Sequence, residues 1–178
     1  YGKWLELGNE NQWIWTYDIT DYAPILKGKC NLTTGNNQEL LDLKFLFIKG
    51  TPERNVLSVI NIYPYGEYKY EFISDDKILK QKNILLNPNA EAYKIKSIIS
   101  GHGHAGPRNC CEWDSKTHTY YLNNWRIFRW NIWKDCGNNP IYPQGGTWPF
   151  DRAGWCPGTK VDEYEFELTP HVIPGESI

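Results

Sequence analysis

Apolar and polar positions alternate along several short stretches of the chain. In residues 161–168 aromatic and aliphatic side chains alternate with glutamates, and in residues 41–47 leucines and phenylalanines share one face. A period of two is typical of a β-strand with one buried and one solvated face. Residues 125–133 are mainly apolar on both faces, and this run is interrupted by Arg126 and Arg129. This pattern predicts an inner strand whose arginines lie at a rim or are paired.

Turn-forming residues, chiefly Gly, Pro and Asn, separate these stretches at short intervals along the chain. A further apolar strand is expected in residues 93–100. Only residues 18–26 have mild helical character, and they predict a short helical turn. Many short strands between closely spaced turns are typical of β-sandwiches and β-barrels. The sequence therefore predicts an all-β protein.

A long irregular loop is expected between Cys136 and Cys156, because residues 136–158 include four prolines and five glycines. A disulfide between these two cysteines would close a loop that the chain-entropy model values at about 3 kcal/mol. Long ordered loops usually carry function. The polar and aromatic side chains displayed by this loop are Trp148, Asp151, Arg152 and Trp155.

Composition and net charge indicate which classes of binding partner the chain disfavours. The chain has 178 residues, enough for one well-filled domain or two small ones, and a formal net charge of -2. Without a prominent basic block, nucleic acid and anionic membranes are disfavoured. Nine Trp and twelve Tyr suit either sugar rings and extended polymers or an aromatic-rich β core. No apolar run approaches membrane-spanning length, and with no signal peptide or initiator Met the chain is expected to be mature or trimmed.

The cysteines point to an oxidising compartment, so a secreted, periplasmic or cell-surface location is expected. The count of five is odd, which leaves Cys30, Cys110 and Cys111 unassigned. Because the adjacent pair is poorly placed to bond to itself, one of its members could pair with Cys30 or with a cysteine outside the chain. A zinc site is disfavoured, since the sequence contains no Cys-x-x-Cys pair.

A glycine-rich segment after the predicted strand at 93–100 contains His102 and His104. In an extended backbone these two side chains point to the same side, which is the spacing that a metal pair on a strand uses. A copper site would need a third ligand from His118, His171 or a carboxylate. The interpretation we favour is that the two histidines hydrogen-bond to substrate or to loop backbone.

Two other groups could carry chemistry. Glu112 lies beside Trp113 in a cysteine-containing segment, where a carboxylate can serve as an acid or base or can orient a water. The alternative is a solvated turn anchored by a disulfide. In the long loop, Arg152 offers a planar donor fork to a carboxylate or an amide carbonyl, and Trp155 could stack on a sugar. Here the alternative is an ion pair with Asp151 that only fixes the loop.

The order of these motifs resembles the peptide-N-glycosidase F family over nearly the whole chain. The segments that carry the resemblance are residues 99–104, 110–113, 117–119, 139–140 and 151–158. Weaker similarity extends upstream to residue 2. The family fold consists of two eight-stranded jelly rolls side by side, as in the copper-dependent peptidylglycine monooxygenases. The resemblance implies that residues 1–50 are the remainder of a first jelly roll and residues 51–178 a second, with strands incomplete at both ends.

The resemblance also implies a chemistry. Such enzymes hydrolyse the amide bond that joins N-acetylglucosamine to asparagine in N-linked glycopeptides, and they need no metal or other cofactor. By motif, Glu112 matches the carboxylate contributed by the second domain, for water positioning or proton transfer, and Arg152 matches the arginine that grips the substrate. The residues implied in substrate binding are His102, His104, Trp113, Asp151 and Trp155.

The sequence departs from the family pattern in its acids. The principal catalytic aspartate of the family belongs to a first-domain segment that this sequence does not contain, and residues 30–35 hold no acid where another carboxylate is expected. Another segment or chain is therefore expected to complete the sheets and the catalytic set. The two rival hypotheses are a non-catalytic module that binds glycans or the cell envelope, and a copper-binding domain of the monooxygenase type.

Overall fold

The computed structural model describes residues 12–35, 40–103, 111–139, 141 and 143–178. Within these residues the chain forms short strands and little helix, which confirms the all-β prediction. In chain order the elements are the 3-10 helix η1 (Thr20–Tyr22), helix α1 (Tyr70–Ser74), strands β1 (Lys94–Ile98), β2 (Lys116–Leu122), β3 (Trp125–Ile132) and β4 (Glu163–Glu167), and the 3-10 helix η2 (Thr169–His171).

The strands form two antiparallel pairs, β1 with β4 and β2 with β3. A two-residue turn joins β2 to β3, and both of its residues adopt positive φ angles, 49° at Asn123 and 68° at Asn124. Such a turn matches the twist of the strands, and asparagine tolerates the left-handed conformation. The register shifts between Tyr120 and Tyr121, where Ile127 is the extra residue of a β-bulge.

Aromatic side chains pack the two strand pairs against each other. The ring of Phe166 on β4 lies 4.9 Å from that of Phe128 and 4.7 Å from that of Trp130, both on β3. Tyr120 on β2 stacks on Trp130 at 5.0 Å and shares a hydrogen bond with the Ser97 hydroxyl on β1. Burial of such rings is the main stabilising contribution of a small β core.

Most of the local predictions are confirmed. Strands β1, β3 and β4 lie within the predicted stretches 93–100, 125–133 and 161–168. The prediction that 125–133 is an inner strand is wrong, because among the described residues β3 pairs with β2 alone. Exposed and half-buried residues alternate along β4 as the glutamate pattern predicts. The 3-10 helix η1 lies within the predicted helical turn at 18–26.

The predicted strand at residues 41–47 is wrong. These residues have no regular secondary structure, and all of them are exposed, Phe47 to 91%. Alternating apolar and polar residues indicate that a segment can pair as a strand. The backbone hydrogen bonds of that strand must still come from a neighbouring strand. No residue described between 40 and 62 belongs to a strand, so 41–47 lacks such a neighbour there.

The chain divides into two compact units, one of residues Thr16–Ile62 and one that contains residues 63–178. The smaller unit holds η1 and an ion pair of 2.5 Å between Arg54 and Asp21. All four strands belong to the larger unit. The predicted domain limits of 1–50 and 51–178 stay a prediction. Among the described residues, no helix is both long and apolar enough to cross a bilayer.

A half-buried histidine makes the stability of the aromatic core depend on pH. Burial lowers the pKa of His118 from its ordinary value of 6.5, and its ring lies 5.6 Å from that of Trp130. Below about pH 6.5 the unfolded chain binds a proton that the folded chain resists, so the free energy of unfolding should fall as pH falls. The loss is at most about 1.4 kcal/mol per pH unit.

Urea denaturation at pH 7.5 and pH 5.5 measures this dependence. The variant His118→Phe keeps a ring in the core but cannot titrate, so its stability should change less over the same interval. An identical change in both proteins would show that His118 does not contribute.

Candidate functional site

A buried ion pair joins two distant parts of the larger unit. The Arg152 Nη1 atom donates to the Glu112 Oε1 atom at 2.9 Å, and the two side chains are only 3% and 9% exposed. The second carboxylate oxygen of Glu112 accepts from the backbone N–H of Gly103 at 3.1 Å. Charge-assisted hydrogen bonds of this kind are about twice as strong as neutral ones. Both oxygens of Glu112 therefore act as acceptors.

Further hydrogen bonds fix the orientation of the Arg152 guanidinium. Its Nη2 atom donates to the Thr147 carbonyl at 2.5 Å, and its Nε atom donates to the Phe150 carbonyl at 3.3 Å. Burial lowers the pKa of Arg152, and the negative charge of Glu112 acts in the opposite direction. An arginine remains charged under these conditions. The buried guanidinium is therefore held in one orientation, and its hydrogen bonds link it to backbone carbonyls of its own loop.

Two indole rings flank this guanidinium. The Arg152 Cζ atom lies 4.4 Å from the ring centre of Trp113 and 4.8 Å from that of Trp155. Cation–π contacts of this length are favourable, more so when they are shielded from water. The His102 ring stacks on Trp155 at 5.4 Å and is exposed. The cluster therefore presents aromatic faces around a fixed charge.

Backbone hydrogen bonds position the cluster. The Ala153 N–H donates to the Glu112 carbonyl at 2.9 Å, and the Gly101 N–H donates to the Ala153 carbonyl at 3.0 Å. Lys134, just beyond β3, exchanges two backbone hydrogen bonds with Arg152, at 2.8 and 3.1 Å. The loop, the segment after β1 and the end of β3 thus meet at one point.

Close packing behind the ion pair requires glycine at position 154. Gly154 has a φ of 72°, and a Cβ atom there would lie 2.6 Å from the Ile99 carbonyl oxygen. We expect Gly154→Ala to lower the free energy of unfolding by roughly 2–4 kcal/mol, because left-handed strain and a backbone clash both act. Thermal or urea denaturation measures this loss.

Gly146 supplies the matched control for this substitution. Its φ is 61°, but no atom lies within 4 Å of the position that a Cβ would take. Gly146→Ala should therefore cost only the conformational strain, about 1–2 kcal/mol. Equal losses in the two variants would contradict the role of packing at Gly154.

The predicted disulfide is present between Cys136 and Cys156, which are 20 residues apart in sequence. Inside the loop it closes, the buried Asn139 side chain donates to the Pro157 carbonyl and accepts from the Ile141 N–H at 3.0 Å. Buried amides of this kind replace the backbone pairing that an irregular loop lacks. These bonds fix the loop, although none of its described residues belongs to a strand.

The structure brings together five of the predicted site residues: Glu112, Arg152, Trp113, Trp155 and His102. The alternative pairing of Asp151 with Arg152 is wrong. Asp151 is exposed, and its carboxylate accepts from the Cys136 N–H at 3.1 Å. The counter-ion of Arg152 is therefore Glu112 and not Asp151. His104 lies outside the described residues.

Sequence reasoning missed the groups that hold the ion pair. These are the Gly103 N–H and the Thr147 carbonyl, which are backbone atoms and leave no signal in residue identity. The second acid of this segment, Asp114, is not part of the ion pair. Asp114 instead pairs with Lys116 at 2.6 Å, because residues 111–114 form a turn.

The remaining cysteines and the metal hypothesis can be judged only in part. Cys30 is a free thiol and Cys111 is disulfide-bonded, so the alternative in which Cys30 pairs with Cys111 is wrong. Within the described ranges, no three His, Cys, Asp or Glu side chains are grouped as metal ligands. The copper pair of His102 with His104 is untested, since His104 is not described.

The chain is similar in sequence to known proteins. Residues 69–174 match the sequence profile of the family "Peptide-N-glycosidase F, C terminal". Over 197 aligned residues the chain is 32% identical to the peptide-N(4)-(N-acetyl-beta-D-glucosaminyl)asparagine amidase F of Elizabethkingia miricola. That alignment covers 94% of this chain and 56% of the relative. The chain thus spans about half the length of the curated relative that it matches.

Solved structures are similar to part of the chain. A recombinant N-glycanase F has 40% sequence identity and a TM-score of 0.50, over 53% of this chain and 32% of its own. The glycosylasparaginase PNGase F from Flavobacterium meningosepticum has 39% identity and the same TM-score, over 53% of this chain and 32% of its own. With the family profile covering more than half of its residues, the chain belongs to the peptide-N-glycosidase F family, through the C-terminal domain of that family.

Proposed function

We propose that this chain supplies one part of the catalytic site of an N-glycopeptide amidase. The observation that carries the proposal is the buried pair of Glu112 and Arg152, with the guanidinium between Trp113 and Trp155. The curated relative is named as an amidase that acts on glycosylated asparagine. A fixed charge beside aromatic faces suits a substrate with a polar amide and a sugar ring.

The reaction is amide hydrolysis. Water adds to the carbonyl carbon of the asparagine side chain, the bond from that carbon to nitrogen breaks, and the nitrogen takes up a proton. The products are an aspartate and a glycosylamine. The protein must therefore orient a water, stabilise negative charge on the carbonyl oxygen, and hold the sugar.

Glu112 is assigned to positioning rather than to proton donation. Its two carboxylate oxygens already accept from Arg152 and Gly103, and each retains a second lone pair for a water or for the scissile N–H. Arg152 supplies positive charge beside the asparagine carbonyl. A general base is proposed to come from another part of the full protein.

The sugar subsite is proposed to be aromatic. His102 is exposed and Trp113 is half-buried, so an incoming sugar meets these rings before it reaches Trp155. His104 and the exposed Asp151 are proposed as further substrate contacts at the rim. The proposed location is secreted, periplasmic or at the cell surface, and the proposed architecture is a first jelly-roll remainder over residues 1–50 and a second jelly roll over 51–178.

Mass spectrometry of a defined N-glycopeptide tests the proposal on the longest natural form of the protein. We expect the parent protein to convert the glycosylated asparagine to aspartate, and Glu112→Gln to slow this conversion about a hundred-fold. Asp114→Asn is the matched control, because that carboxylate pairs with Lys116 and not with Arg152.

The control variant should retain most of the activity. Retained glycopeptide binding without any conversion would overturn the amidase proposal and favour a glycan-binding module.

A further inference from the structure

The outer face of the β2–β3 hairpin carries two arginines on the side away from the aromatic core. In the register of the hairpin, Arg129 lies opposite Thr119 and Arg126 lies opposite Tyr121. Both arginines are exposed. Within the described residues neither arginine has an acidic partner at ion-pair distance. Of the two states that the sequence pattern allowed, the paired one is therefore wrong for both arginines within this part of the chain.

The β-bulge is the reason that both arginines share this face. Positions 126 and 129 are an odd number of residues apart, so a regular strand would direct their side chains to opposite sides. The extra residue Ile127 restores the alternation, because Phe128 pairs with Tyr120 on the inner face and Arg126 pairs with Tyr121 on the outer one. Bulges commonly re-aim a side chain in this way.

Neutral polar groups and aromatic rings complete the face. The Thr117 hydroxyl donates to the Asn131 side-chain carbonyl at 2.6 Å, which fixes both side chains as a cross-strand pair. Tyr121 is 67% exposed at one end, and Trp133, directly after β3, is 39% exposed at the other. At about 3.4 Å per residue, this face extends roughly 20 Å from Tyr121 to Trp133. It is long enough for an oligosaccharide.

The side chains of this face indicate which class of ligand it would bind. Two guanidinium forks match planar carboxylates, and flat amphipathic rings at both ends suit sugar faces. Arginine and aromatic residues are also common at protein–protein interfaces, so titration with an acidic peptide tests that alternative occupant. The chain as a whole has a net charge of -2, whereas this face carries two exposed cations.

We propose that the outer face of the β2–β3 hairpin, formed by Thr117, Tyr121, Arg126, Arg129, Asn131 and Trp133, binds oligosaccharides that carry carboxylate groups. None of these six residues belongs to the Glu112–Arg152 cluster, although Trp133 precedes Lys134, which exchanges backbone hydrogen bonds with Arg152. The inference does not depend on the amidase activity, because binding here requires no turnover.

Calorimetric titration at low salt tests the proposal on the longest natural form of the protein. The two probes are a sialylated biantennary N-glycan and the same glycan after desialylation. We expect the sialylated glycan to bind roughly five-fold more tightly, since two exposed charge pairs contribute modestly, and the difference should shrink at high salt. Arg126→Gln with Arg129→Gln should remove the difference, whereas Tyr121→Ala should weaken both glycans.

The matched control is Lys27→Gln with Lys29→Gln, which removes the same charge from exposed positions in the smaller unit. It should leave the preference for the sialylated glycan unchanged. The proposal is overturned by equal binding of the two glycans, by no binding of either, or by equal loss in the lysine variant. Binding of an acidic peptide as tight as that of the sialylated glycan would also overturn it. Turnover of a neutral glycopeptide, measured separately, reports on the amidase proposal alone.

Discussion

Replacing Arg152 with alanine is expected to lower the free energy of unfolding by about 3–5 kcal/mol. The substitution leaves the buried Glu112 carboxylate without its cation, and it removes the hydrogen bonds that Arg152 donates to the carbonyls of Thr147 and Phe150. An uncompensated buried charge is among the most destabilising changes a single substitution makes. Urea denaturation followed by tryptophan fluorescence measures the loss.

Arg54→Ala is the matched control in the same chain. Arg54 pairs with Asp21 at 2.5 Å, but its side chain is 43% exposed. Exposed pairs contribute about 0.2–1 kcal/mol, so this variant should be close to the parent in stability. Similar losses in Arg54→Ala and Arg152→Ala would show that burial of the Glu112–Arg152 pair does not matter.

Removing the disulfide is expected to have the second-largest effect. For its sequence separation of 20, the chain-entropy model values the Cys136–Cys156 bond at about 3 kcal/mol. The double variant Cys136→Ala, Cys156→Ala should lose about that free energy of unfolding. Amidase activity should fall as well, because Arg152 and Trp155 lie within the loop that the bond closes.

Cys30→Ala controls for the loss of a thiol. Cys30 is free and exposed, so its replacement should leave stability unchanged. Urea denaturation of the parent under reducing conditions should show at least the loss seen in the double variant, because reduction also breaks the disulfide bond of Cys111. An unchanged denaturation midpoint in both experiments would mean that the buried amides alone hold the loop.

Sequence patterns predicted the local elements that depend on neighbouring residues. The alternation in β4 and the apolar run of β3 both report side-chain burial, which periodicity records directly. The strand predicted at 41–47 failed because pairing depends on a distant partner, which a local pattern does not contain. The two-residue turn at Asn123 is local, yet asparagine is common in many kinds of turn and its position alone gave no strand limits.

The sequence motifs predicted the side chains of the candidate site, and the structure added the backbone groups that hold them. Family resemblance named Glu112 and Arg152, but spacing gave no reason for two side chains 40 residues apart to meet. The sequence also allowed Asp151 as the partner of Arg152, because the two residues are adjacent. The backbone of the loop decides otherwise, since Asp151 accepts from the Cys136 N–H and the guanidinium lies against Glu112.

The central claim is that the Glu112–Arg152 pair takes part in amide hydrolysis, and one measurement tests it most directly. The longest natural form of the protein is incubated with an N-glycopeptide in water enriched in heavy oxygen, beside a Glu112→Gln variant shown to be folded by circular dichroism. The account predicts aspartate that carries one heavy oxygen from the parent protein and about a hundred-fold slower incorporation in the variant. Equal rates in the two proteins, or no incorporation by the parent, would contradict it.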